Sequence, residues 1–109
     1  MGIPTKAALI CDIQHDVKDI ACDVKDIACD VKDIACDIKV INAITCDLLH
    51  DHNPCNIQAD LKALSCYDKD LCRDTADLKC DTADLKCDTA DLSCDIHQLE
   101  CLYHCSYAV

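Results

Sequence analysis

Cysteine recurs every seven residues on two separated stretches, as Cys22, Cys29 and Cys36 on the first and as Cys80, Cys87, Cys94 and Cys101 on the second. Sulfur at such a spacing can do one of two things. It can pair with another sulfur as a cystine, or it can hold a soft ion such as Cu(I) or Zn as a thiolate. Seven residues along a helix separate neighbouring thiols by ~10 Å, too far to share one ion. The spacing therefore argues for rungs between two columns. If the two stretches run antiparallel, Cys11 meets Cys105, Cys22 meets Cys94, Cys29 meets Cys87 and Cys36 meets Cys80 at equal heights, and Cys46 with Cys72 and Cys55 with Cys66 continue the series toward the turn. Cys101 is left over, level with His15, which stands where the first column lacks a cysteine. A slip of one heptad also pairs three rungs, but it strands Cys11 and Cys105.

Other residues carry weaker chemical signals. Cys11 with His15, and Cys101 with Cys105, are i,i+4 pairs that together resemble a zinc set of three thiolates and one imidazole, although no CxxC knuckle accompanies them. This is the metal alternative to the ladder, a thiolate binding or storage protein for Cu(I) or Zn. His50, His52 and Cys55 cluster at the turn, where histidines are mostly solvated. No Ser/His/Asp or Cys/His set converges on one point, so no catalytic residue is assigned.

Composition sets the class. Thirteen cysteines in 109 residues suit a disulfide scaffold from an oxidising, extracellular compartment, where covalent bonds reinforce a small core. The opening MGIPTKAALI has one lysine and a short apolar run, unlike a secretory leader, so a mature form of the chain is expected. No run reaches the roughly 18 apolar residues of a membrane span. The net charge of -11 argues against nucleic acid and anionic membranes as partners, since both need a basic surface. No Trp, no Phe and a single Gly leave neither an aromatic pocket nor a phosphate-cradling loop, so an enzyme is not expected, and no cofactor is assigned.

The elements that must position these groups are helices. Ile13, Val17, Ile20, Val24, Ile27, Val31, Ile34, Ile38 and Ile41 alternate steps of four and three, the heptad signature. Leu64, Leu71, Leu78, Leu85, Leu92 and Leu99, joined by Thr75, Thr82 and Thr89, repeat it on the second stretch. A strand would swap faces at each odd-numbered repeat. The expected fold is all-α: a single domain over residues 1–109, an antiparallel hairpin of two long heptad-repeat helices cross-linked by the disulfide ladder. Helix one is expected over about 5–50, the turn over about 51–56 and helix two over about 57–106. Asn53 is a candidate cap and Pro54 suits a first helical turn.

Wheel positions decide what can face what. Cysteine lies almost opposite Ile or Leu on both helices, so one hairpin cannot turn both columns inward. Either the thiols face each other and the Ile/Val and Leu/Thr stripes become outer edges, or the apolar stripes meet and the thiols stay outside. The first is preferred because six bonds follow from one register, and Ala76, Ala83 and Ala90 permit the close approach. In both cases the aspartate columns gather on one broad side, with Ala and Lys on the other.

An apolar stripe this long must be covered or put to work. Val24, Ala28, Val31, Thr75, Thr82 and Thr89 repeat ~10.5 Å apart, a regularity useful against an equally regular target. The expected function is a secreted, non-enzymatic scaffold presenting repeated surfaces. Its partner is an ordered lattice, ice first and mineral second, or further copies of itself as a homo-oligomer.

Overall fold

The computed structural model describes residues 5–107, the last three by backbone alone. Two helices make up the fold, α1 over Lys6–His50 and α2 over Pro54–Tyr107, and no strand occurs among the described residues. The all-helical hairpin expected from the heptads is present. Neither helix is long and apolar enough to cross a membrane.

Capping explains where the helices begin. The Ala8 amide donates to Thr5 Oγ1 at 3.1 Å, satisfying one of the orphan donors of the first turn of α1. Asn53 does the same for α2, accepting from the Cys55 amide at 3.0 Å while its carbonyl accepts from Ile57 at 3.0 Å. Pro54, with its fixed φ and no N–H, takes the first helical position, so α2 starts there rather than near residue 57 and the turn shrinks to residues 51–53. Asp51 Oδ1 accepts from the Asn53 amide at 2.9 Å and holds this short connection.

The chain divides into two compact units. The first takes Met1–Asp26 and Asp81–Val109, as far as these are described, and the second takes Ile27–Cys80. In the first, Leu9 is buried and Ile13, Asp16, Ile20 and Asp23 of α1 are half-buried, as are Leu85, Asp88, Leu92, Asp95 and Leu99 of α2. In the second, Asp37 and Ile44 are buried, with Ile27, Ile34, Ile41, Leu64, Leu71, Asp74 and Leu78 half-buried. Each helix thus turns inward a column of Ile or Leu together with the neighbouring column of Asp.

Two expectations are corrected by this packing. The ladder does not hold the helices together, because Cys11, Cys22, Cys29, Cys36, Cys46, Cys55, Cys66, Cys72, Cys80, Cys87 and Cys94 are free and exposed. Cys105, the expected partner of Cys11, has its side chain outside the described residues. The physical reason lies on the wheel: burying Ile and Leu removes more apolar area from water than burying thiols, and it turns the opposite column outward. The register differs too. Within the first unit Asp23 lies against Asp88, which sets Cys22 near the level of Thr89 rather than Cys94. The second correction concerns the outer edges. The Ile and Leu columns, expected there with Val and Thr, turn inward beside a column of Asp, while Val17 and Val24 remain 52% and 53% exposed as expected.

Candidate assembly surface

The surface residues singled out in the sequence all face solvent. Val24, Ala28, Val31, Thr75, Thr82 and Thr89 are exposed, and Ile10, Val17 and Ile38 extend the valine column along α1. Thr75 Oγ1 donates to the Cys72 carbonyl and Thr89 Oγ1 to the Lys86 carbonyl, both at 2.9 Å. Equivalent positions of the repeat therefore hold equivalent rotamers. Both of these hydroxyls are fixed against their own helix.

Between the helices lies a feature that the periodicity did not single out. Asp16 faces Asp95 and Asp23 faces Asp88 in the first unit, and Asp37 faces Asp74 in the second, each pair close enough for its carboxyl groups to share a hydrogen bond. A hydrogen bond between two carboxyl groups needs a proton on one of them. The Asp95 hydrogen bond, then desolvation, then the charges of Asp95, Asp91 and Asp12 raise Asp16 from 3.8 to about 6. Asp23 is likewise raised to about 6, first by its hydrogen bond to Asp88, then by desolvation and by the charges of Asp88, Asp84 and Asp19. Asp74 is raised by the Asp37 hydrogen bond and desolvation, against an opposing pull from Arg73. Oδ2 of Asp16, Asp23 and Asp37 is buried without a hydrogen-bond partner. The signal was visible in the sequence as two Asp columns, one of them next to Ile or Leu on the wheel.

His15 lines two grooves of the first unit. One, of about 640 Å³, is walled by Cys11, Ile13, Gln14, Val17 and Lys18; the other, of about 260 Å³, is walled by Asp12, Asp16, Asp91, Cys94 and Asp95. His15 thus shares a groove with Cys94, whereas the expected level was that of Cys101. No group of three or more His, Cys, Asp or Glu side chains that could hold a metal ion occurs among the described residues. The candidate set Cys11, His15, Cys101 and Cys105 is described only in its first three members, and Cys101 is exposed. At the same end, Lys6 Nζ stands 5.3 Å from the Tyr103 ring centroid, a cation–π contact from α1 to α2.

Comparison with known proteins adds no relative. No family model, no curated protein and no solved structure matches the chain.

Proposed function

We propose that the chain is a non-enzymatic, extracellular assembly unit that self-associates through its exposed valine and threonine columns. One observation carries this reading: a regular aliphatic column stays exposed beside a very small core. Among the described residues only Leu9 and Ile44 are buried hydrophobics, while Val17, Val24, Val31 and Ile38 are each between 46% and 53% exposed. Burial of apolar area alone would favour valine over aspartate in the seam, so this packing is incomplete as a hydrophobic structure. A second copy supplies the missing cover. Within the first unit the valine side carries Lys18 and Lys25 rather than the Asp columns, so two copies can meet there without opposing carboxylates.

Sedimentation velocity of the full chain under reductant tests the reading. The native protein should sediment as a dimer or larger assembly, and Val24→Glu with Thr89→Glu should yield monomers that remain helical by circular dichroism. Native protein that stays monomeric throughout the micromolar range would sink the proposal.

A second reading is favoured by the regularity itself. Val24 and Val31, one heptad apart, match in exposure, and Thr75 and Thr89, two heptads apart, match in hydroxyl geometry. Such an array suits an ordered lattice such as ice. A gap between freezing and melting temperatures that vanishes in the same double variant would support it, and no gap at any dose would remove it.

A further inference from the structure

We propose that the outward thiol column of α2, made of Cys87, Cys94 and Cys101, is a covalent docking edge for a second copy of this chain, joined antiparallel about a twofold axis at Cys94. The proposal rests on self-association as the reading of the molecule but uses a different surface, so the two can fail separately.

All three cysteines are free and exposed, and all belong to the first unit. They stand on the side of α2 away from half-buried Leu85, Asp88, Leu92, Asp95 and Leu99. Their partners cannot come from α1 of the same molecule while the Ile/Leu seam is closed, because disulfide geometry needs Cα atoms within about 7 Å. Another copy can reach them. Equal spacing makes the column complementary to itself when reversed: Cys87 meets Cys101, Cys94 meets its own counterpart, and Cys101 meets Cys87. Such an interface is isologous and closes as a dimer instead of growing without limit.

Charge selects this stretch over the rest of the column. Asp77, Asp84 and Asp91 recur beside the cysteines, but the next member of that series is Gln98, and on the other flank His97 follows Ala83 and Ala90. Cys94 and Cys101 therefore share a flank of Gln98 and His97, where two acidic chains can approach with least repulsion. Ala90 leaves room for the close contact of backbones that a disulfide requires.

The bond forms by thiol–disulfide exchange with a small-molecule disulfide such as oxidised glutathione. A thiolate of one copy attacks it, forming a mixed disulfide and releasing one small thiol; the facing thiolate of the second copy then attacks the protein sulfur and releases the other. Two protein thiols and one small disulfide give one protein disulfide and two small thiols, with no electrons unaccounted for.

The test oxidises the reduced full chain in a glutathione redox buffer, followed by non-reducing electrophoresis and by peptide mapping after cleavage at the aspartates, which separates the three cysteines. The expected product is a covalent dimer containing a Cys94 peptide linked to itself, a species that only two copies can form. The variant Cys87→Ser/Cys94→Ser/Cys101→Ser should lose the covalent dimer while keeping its helicity and any assembly seen under reductant. Intrachain disulfides with no dimer, links confined to α1 cysteines, or a covalent dimer undiminished in the triple variant would each overturn the assignment.

Discussion

Aspartate side chains at two adjacent wheel positions have different lives in this molecule. Asp19 and Asp26 face water, whereas Asp16 and Asp23 face carboxyl groups of α2. A carboxyl group whose folded pKa lies above its unfolded value binds its proton more tightly when folded, so its contribution to stability is complete below pH about 4 and is lost as pH rises through about 6. Above that range Asp16 faces the charges of Asp95, Asp91 and Asp12, and Asp23 those of Asp88, Asp84 and Asp19, with no proton to share. The melting temperature should therefore fall between pH about 4 and about 7. In Asp16→Asn/Asp23→Asn the amide can donate to the partner carboxylate without a proton. That variant should melt higher than the native chain at neutral pH, with a flatter pH profile. Carboxyl NMR titration gives the direct check, and a native profile that is already flat would show that the pairs carry no such linkage.

At the scale of the helix, ends and seam are separable. Replacing Asn53 by Ala removes the acceptor for the Cys55 amide and should cost about 1 kcal/mol, read from chemical denaturation under reductant. Ile20→Ala should cost about 2 kcal/mol because Ile20 is half-buried in the first unit's seam, while Val24→Ala in dilute monomer should cost little because Val24 is 53% exposed. Equal losses would mean that valine shares the seam. The helices were legible in the sequence: the heptads give two of them, and Asn53 and Pro54 were candidates for the cap and first turn of the second, although its start was expected about three residues late. The choice of seam was not legible. Ile27 has Val31 on one side of the wheel and Asp30 on the other, and either neighbour completes alternating steps of three and four. Thiol arithmetic misled for a related reason, since a sequence that repeats every seven residues matches itself in several registers. Hydrophobic area, which separates Ile and Leu from Cys, was the better guide to what turns inward.

At the scale of the whole molecule, few side chains are buried among the described residues, and on the proposed self-association stability becomes a matter of concentration. If copies cover each other's valine columns, association stabilises the folded state by mass action, and the melting temperature should rise with protein concentration under reductant. Val24→Glu should remove that rise. A melting temperature independent of concentration in the native chain would mean that each hairpin is complete alone. The candidate surfaces were partly legible at this scale: the exposed Val and Thr positions were named from their period, whereas the cysteines were read as an intrachain ladder that the structure does not contain.

The three-residue connection between the helices has one more consequence. Asp16 with Asp95 and Asp23 with Asp88 are interchangeable neighbourhoods, one heptad apart, so the paired helices behave like two rulers with the same graduations. Graduations alone do not say where zero is. That origin is supplied by Asp51, Asn53 and Pro54, whose hydrogen bonds and fixed φ leave no slack between His50 and Pro54. Splicing a long Gly/Ser segment in at the turn should therefore release a family of slid alignments, each displaced by whole heptads, which carboxyl and amide NMR would display as several slowly exchanging forms in place of one.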